Sequence, residues 1–253
     1  MELGTLVFTY RFSNPNLLLI AAAVVPALVL LTYIYRKDHI EKEPNSLLVR
    51  LLLWGIVSTF LAVVTESLGA SALAFFLPGG EAHPAYGFWM FFVIVGLSEE
   101  GFKYLVMRWR TWKSPHFNCR FDGVVYAVFV SLGFALWENI GYVLMYGMGA
   151  ALMRAITAVP GHASFGVFMG ACYAAARRAE NFGDHGASVI WRVVAVLLPA
   201  LIHGCYDYIA VLGSEQSSAM FWVFVLGVFA AATSMIRKMS RRDAFIAPPN
   251  WYR

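Results

Sequence analysis

The chain has 253 residues, of which 60% are hydrophobic and only 13% are charged, and its mean hydropathy is +0.64. Ordinary soluble domains carry about 25% charged residues, so this composition excludes them and predicts a polytopic membrane protein. The formal net charge of +4 does not indicate a nucleic-acid partner, because the basic residues follow membrane topology. Cys119, Cys172 and Cys205 lack CxxC spacing and predict neither a disulfide framework nor a thiolate metal site.

Seven stretches are apolar and long enough to cross a bilayer as helices, which takes about 20 residues. In chain order they are 16–35, 47–76, 86–107, 121–146, 154–176, 190–212 and 218–236. The first lacks a preceding basic region, so we expect a retained span and not a cleaved signal peptide. The second is overlong, and we expect it to tilt or to end in an interfacial piece near Gly69. Short connections predict one all-α membrane-embedded domain over residues 1–253, with the first and last spans peripheral.

The orientation of the bundle follows from its basic residues. Sixteen of the 19 Lys and Arg residues fall after spans 1, 3 and 5 or in the C-terminal tail. Only Arg11 and Arg154 fall on the opposite side, and Lys103 lies inside a span. Because cytoplasmic loops carry the excess of positive charge, the pattern predicts an outer N-terminus and a cytoplasmic C-terminus.

Polar side chains interrupt five of the seven spans. They are Glu66, Glu99, Glu100, Lys103, Asp122, Glu138, Asn139, His162, His203 and Asp207. An ionisable group at membrane depth costs at least about 2.5 kcal/mol, so such groups usually face the bundle interior and are functional. Helix association alone does not require so many of them.

Depth and spacing indicate which of these groups meet. When depth is counted from the basic end of each span, four groups can converge on one interior site, namely Glu99, His162, His203 and Asp207. Glu138 comes out nearer the outer face. His203 and Asp207 are four residues apart and share a helix face. Lys103 follows Glu99 by four residues and Glu100 by three, so we expect one glutamate to pair with it while the other points elsewhere.

Two histidines, an aspartate and a glutamate in a dry cavity suit the activation of water. A carboxylate can act as a general base while imidazoles hold the water, an oxyanion or a metal ion. Zinc would accept His162, His203 and Asp207 and keep a position open for water. No H-E-x-x-H motif is present, so any metal site would be assembled from separate helices.

Four stretches resemble the signature blocks of the PrsW family of intramembrane proteases, in the order of that family. They are S-E-E-G-F-K (98–103), F-D-G-V-V-Y-A-V-F-V-S-L-G-F-A-L-W-E-N-I (121–140), P-G-H-A-S-F-G (160–166) and H-G-C-Y-D-Y (203–208). The resemblance runs from about residue 90 to residue 210. It implies an intramembrane endopeptidase in which Glu99, Glu100 and His162 are essential and His203 and Asp207 match by motif.

The resemblance also implies a substrate and a location. The substrate is a membrane-anchored protein, with anti-sigma-factor processing as the family's known role, and the enzyme is a multi-pass protein of a bacterial cytoplasmic membrane. The family is classed as metalloproteases, which implies zinc or another divalent metal. Its distant relatives, the CAAX prenyl-protease and bacteriocin-protection group, look like glutamate-dependent enzymes, so the resemblance also leaves a metal-independent mechanism open. Asp207 stands where an asparagine is common in that group, which favours a cation ligand.

The remaining polar residues have supporting interpretations. Lys103 orients span 3. Glu138 and Asn139 either orient a histidine of the site by a hydrogen bond, as carboxylates do around metals, or contact the outer membrane–water interface. Asp122 fits a helix N-cap. The alternative function is a proton-coupled transporter or channel that uses the same groups as a relay; it predicts repeated halves, which the sequence does not show.

Overall fold

The computed structural model describes residues 17–246, and in this range the named elements are all helical. They are α1 (Leu17–Lys37), α2 (Asn45–Phe76), α3 (Tyr86–Phe88), a π-helical segment (Trp89–Val95), α4 (Gly96–Thr111), α5 (Arg120–Ile156), α6 (Ala158–Asn181), α7 (His185–Val211) and α8 (Glu215–Arg241), with a 3-10 turn at Gly80–Ala82. The all-α prediction is confirmed. The predictions for Arg11 and Arg253 lie outside the described residues.

Within residues 17–246, five helical stretches are long and apolar enough to cross a membrane. They are Leu18–Lys37, Asn45–Phe76, Arg120–Asn181, His185–Val211 and Glu215–Arg241. The third is broken at Gly147, whose φ of 77° and ψ of −161° interrupt α5. The predicted third span, 86–107, is not among the five; it is divided among α3, the π-helical segment and α4, and it carries Glu99, Glu100 and Lys103. A multi-pass membrane protein is therefore supported, and the count of seven spans stays a prediction.

Helix α2 runs without interruption from Asn45 to Phe76, so the chain does not break near Gly69, and the tilt or interfacial end expected for this overlong span stays a prediction. Gly69 instead allows a close approach between α2 and the π-helical segment. A Cβ at this position would lie 2.7 Å from Cγ2 of Ile94, which is closer than real contacts allow. The residue is thus explained by helix packing.

Several helix ends are joined at one end of the bundle. The Ser240 hydroxyl donates to the Lys37 carbonyl, which links the ends of α8 and α1. The amide of Asn181, at the end of α6, donates to the Ile246 carbonyl, and the Ile246 N–H donates to the carbonyl of Asn118 just before α5. We call this the basic end, because the Lys- and Arg-rich segments after α1, α6 and α8 lie here.

Helix α5 is the central element, and it packs against α1, α2 and α6. The backbones of α5 and α6 approach each other closely at a pair of glycines. A Cβ on Gly170 would lie 2.3 Å from the Gly123 carbonyl oxygen. Small residues at such crossings let helix backbones approach and gain dispersion contacts. This packing sets the spacing between the two helices that supply Glu138 and His162.

Two carboxyl groups are buried in the segment between α1 and α2, where Glu43 is 5% exposed and Asp38 is 1% exposed. Burial raises the pKa of Glu43 to about 8 and that of Asp38 to about 6. When the pKa of a carboxyl group is higher in the folded state than in the unfolded state, its protonated form stabilises the fold. This stabilisation is fully present at a pH below the unfolded-state pKa, and it is lost as the pH rises through the folded-state pKa.

We therefore expect the melting temperature to fall between pH 5 and pH 8. Glu43→Gln should flatten this decline, because the amide does not ionise, and should recover on the order of a few kcal/mol at pH 8. Thermal unfolding of the purified protein at both pH values checks this. Glu81→Gln, an exposed glutamate, is the control, and an unchanged slope in Glu43→Gln would contradict the prediction.

Candidate active site

The Lys103 ammonium lies at the centre of a buried polar cluster. Its Nζ lies 3.0 Å from Glu99 Oε2 and 2.7 Å from Glu100 Oε1. It also lies 3.1 Å from His162 Nδ1 and 3.9 Å from the centre of the Phe134 ring. All three N–H groups therefore have acceptors. The expectation that one glutamate points away from Lys103 is wrong, because both helical positions bring a carboxylate within its reach.

The contacts of His162 define its tautomer. A lysine ammonium only donates, so Nδ1 of His162 accepts and the ring proton lies on Nε2. Nε2 donates to Glu138 Oε2 at 2.8 Å, and Nη2 of Arg154 lies 2.9 Å from the same oxygen. Both ring nitrogens of His162 are thus engaged within the protein, which makes it a link between Lys103 and Glu138.

Arg154 is a site residue that the sequence did not reveal. Its Nε donates to Asn139 Oδ1 at 2.9 Å, and the Asn139 amide donates to the Ala23 carbonyl of α1. The sequence placed both Arg154 and Glu138 toward the outer face of the bundle, and this placement stays a prediction; the contacts above add that the two residues pair and that Glu138 bonds His162. The break at Gly147 turns the chain back, so that Arg154 reaches the carboxylate of Glu138.

We expect Arg154→Gln to lower the free energy of unfolding by about 1.5–3 kcal/mol, because it removes charge-assisted hydrogen bonds to Glu138 and Asn139. Arg154→Lys should retain part of this stability through the charge alone. Chemical denaturation in detergent measures both. The basic-end residue Arg178 offers a control, Arg178→Gln; an equal effect there, or none at Arg154, would show that the buried bonds are not stabilising.

His203 offers one ring nitrogen that lacks a close partner. Its Nδ1 donates to Glu100 Oε1 at 3.1 Å, and Glu99 Oε2 lies at 3.8 Å. Its Nε2 lies 3.5 Å from Asp207 Oδ2, which is longer than an ordinary hydrogen bond. The Phe165 ring stacks on the imidazole at 4.8 Å and holds its plane. Nε2 is therefore oriented and remains able to bond a further group.

The two adjacent glutamates differ in exposure. Glu100 is fully buried, and its Oε2 has no hydrogen-bond partner among the described residues. Glu99 keeps 6% of its surface exposed. Because a water molecule must reach the carboxylate that activates it, Glu99 is the better placed of the two.

Two other predicted residues differ in their relation to the cluster. Glu66, which lies outside the four signature blocks, interacts electrostatically with Glu99, Glu138, His203 and Asp207. Asp122 lies 16 residues before Glu138 on α5, or about 24 Å along the axis. Its Oδ2 accepts from the N–H groups of Asn118 and Cys119. Cys119 is the N-cap and Asp122 is the N3 residue that completes the capping box, so the expected N-cap position is wrong by three residues.

Donor atoms that suit a divalent metal converge within the cluster. One atom each from Glu99, Glu100, His162 and His203 lies within 4.8 Å of the others, and these are ligand types that zinc accepts. Asp207, which the sequence indicated as a ligand, is not in this set. Lys103 Nζ already bonds three of the four residues, so a cation occupies the centre of the arrangement. The donor types fit a metal, but this arrangement does not fit one while Lys103 stays in place.

Buried carboxylates and imidazoles, enclosed by helices that can span a bilayer, define a membrane protein with a polar cluster in its interior. The sequence model of a protein family described as PrsW family intramembrane metalloprotease matches residues 43–234 of this chain. The chain belongs to the PrsW family of intramembrane proteases, and the predicted family and protease activity are confirmed. The match extends on both sides of the 90–210 region that carries the signature blocks.

Curated relatives cover most of the chain. Protease PrsW of Halalkalibacterium halodurans is 31% identical over 225 residues, which is 89% of this chain and 98% of the relative. Protease PrsW of Geobacillus kaustophilus is 33% identical over 230 residues, covering 91% and 94%. Protease PrsW of Bacillus subtilis is 33% identical over 195 residues, covering 76% and 82%. No solved structure matches the chain.

Proposed function

We propose that this protease hydrolyses a peptide bond in or next to the membrane segment of another membrane protein, with Glu99 as the general base. One observation carries the assignment of the base. Of the two carboxylates bonded to Lys103, Glu99 alone keeps part of its surface exposed, at 6% against 0% for Glu100. Water can therefore reach Glu99 while its orientation stays fixed by the ammonium.

The reaction uses the residues around this carboxylate. Glu99 takes a proton from water, and the resulting hydroxide attacks the scissile carbonyl carbon. The tetrahedral oxyanion receives a hydrogen bond from Nε2 of His203 when that nitrogen is protonated, with Asp207 stabilising the imidazolium. The C–N bond then breaks, and the leaving amine takes the proton from Glu99. Lys103, held by Glu100 and His162, keeps the Glu99 carboxylate in place.

A divalent metal remains the family-based alternative to this scheme, with Glu99, Glu100, His162 and His203 as its donors. The proposed reaction uses no metal, because the Lys103 ammonium already bonds three of these residues. Bound metal would supply Lewis-acid activation of the water and the carbonyl. Metal analysis of the purified protein, with and without chelator treatment, distinguishes the two schemes.

The topology proposed for the enzyme has seven crossings, an outer N-terminus and a cytoplasmic C-terminus. The helix ends joined at the basic end support it, because they place the positively charged segments on one side. The relatives from Bacillus and similar bacteria support a bacterial cytoplasmic membrane. An anti-sigma factor is the substrate suggested by the family resemblance.

New protein termini provide the direct test of this function. Membranes from cells carrying the wild-type chain or Glu99→Gln are compared by mass spectrometry. We expect termini in or beside transmembrane segments that depend on the wild-type chain, and Glu81→Gln, an exposed glutamate, should leave them unchanged. Identical profiles in several hosts would contradict the proposal, and proton-linked uptake would then be measured with the same variants.

A further inference from the structure

A cavity of about 330 Å³ lies between the start of α2 and the end of α4. Seven of the residues that line it are polar, basic or aromatic: Ser46, Arg50, Trp109, Arg110, Lys113, Ser114 and His116. No acidic residue is among its lining residues. Positive charge is therefore contributed by three separate segments, namely α2, α4 and the loop that follows α4.

The cations around this cavity are not neutralised by the protein. No carboxylate of residues 17–246 forms an ion pair with Arg50, Arg110 or Lys113. Arg110 is the most constrained, since its guanidinium carbon lies 5.0 Å from the centre of the Trp109 ring. Its Nε is buried and has no hydrogen-bond partner within the described part of the chain. A bound anion would accept hydrogen bonds from the guanidinium of Arg110 and relieve the mutual repulsion of the three cations.

The start of α2 adds a further attraction for an anion. Its N-cap is Pro44, and no side chain caps the helix. The first N–H groups of a helix carry partial positive charge, which favours phosphate or carboxylate groups. The Ser46 hydroxyl also lines the cavity and adds another donor.

The cavity lies at the basic end of the bundle. The guanidinium of Arg177, near the end of α6, lies 5.5 Å from the ring centre of Trp112, which follows α4 directly. Trp109 is 64% exposed and meets Trp54 edge-on at 4.9 Å. Exposed tryptophans at the end of spanning helices mark the level of the lipid headgroups. Basic pockets at this level on the cytoplasmic side bind anionic headgroups.

We propose that this cavity is a phosphate-binding site whose occupant is the headgroup of an anionic phospholipid. Arg50 and Lys113 hold the phosphate by charge, and Arg110 donates from a guanidinium held against Trp109. The site is separate from the Lys103 cluster, and lipid binding there does not require proteolytic activity. A bound lipid would join the first turn of α2 to the last turn of α4, the helix that carries Glu99.

The test uses the full-length protein in nanodiscs of phosphatidylcholine, to which phosphatidylglycerol is added. Binding should raise the melting temperature of the wild-type protein by about 5 °C near saturation. The double variant Arg50→Gln/Arg110→Gln should lose most of this shift while keeping its melting temperature in phosphatidylcholine alone. The control Arg237→Gln/Lys238→Gln removes equal charge from exposed positions of α8 and should keep the shift.

Further arms decide the source of the phosphate. Native mass spectrometry should retain phosphatidylglycerol on the wild-type protein and not on the cavity variant. If inorganic phosphate in phosphatidylcholine nanodiscs gives the full shift, the occupant is free phosphate and the lipid assignment is overturned. If the α8 control loses as much of the shift as the cavity variant, the attraction is that of general surface charge, and the site is overturned.

Discussion

Glu99→Gln is expected to lower the rate of proteolysis by about 10²- to 10⁴-fold, which is the usual contribution of a positioned general base. The amide is nearly isosteric with the carboxylate but cannot take a proton from water. It keeps an oxygen that can accept from Lys103, so folding should be preserved. Initial rates of substrate cleavage, measured at equal amounts of folded protein, check this expectation.

Glu100→Gln is the matched comparison, since it makes the same chemical change at the neighbouring position. Glu100 is fully buried, and its Oε1 accepts from both Lys103 and His203. We expect this variant to lose stability as well as activity. If Glu99→Gln is as active as the wild-type protein, Glu99 is not the general base. If only Glu100→Gln loses all activity, and its melting temperature is unchanged, the general base is Glu100.

Lys103→Met is expected to lower the free energy of unfolding by about 3–5 kcal/mol, the usual cost of removing one partner from a buried ion pair. Methionine fills much of the same volume over the Phe134 ring, so lost packing is small. The effect comes from leaving two buried carboxylates, Glu99 and Glu100, without their shared cation. Chemical denaturation in detergent gives the free-energy difference.

The double variant Lys103→Met/Glu100→Gln separates charge from packing. It carries one buried carboxylate fewer, and we expect it to regain part of the stability lost in Lys103→Met. Lys238→Met, at an exposed position of α8, should have little effect. If Lys103→Met is as stable as the wild-type protein, the ammonium does not neutralise the cluster, and the place of Lys103 could be taken by another cation.

Much of the candidate site follows from the local sequence. The spacing of Glu99, Glu100 and Lys103 places them on one helix turn, and His203 with Asp207 on another, whatever the tertiary fold. The cost of burying charge in a bilayer then directs these groups toward one another. The local sequence does not show how residues of different helices meet, as for Glu138 and Arg154, whose contact depends on the break in α5 at Gly147.

Sequence alone determined the class of this protein, because hydropathy and helical spacing are local properties, and its four motifs resemble those of the PrsW family. Tertiary structure decided which groups are joined. The break at Gly147 brings Arg154 to Glu138, and the approach of α6 to α4 places His162 against Lys103. Tertiary structure also distinguished Glu99 from Glu100, since adjacent residues of one helix differ in exposure only through the neighbours that pack against each face.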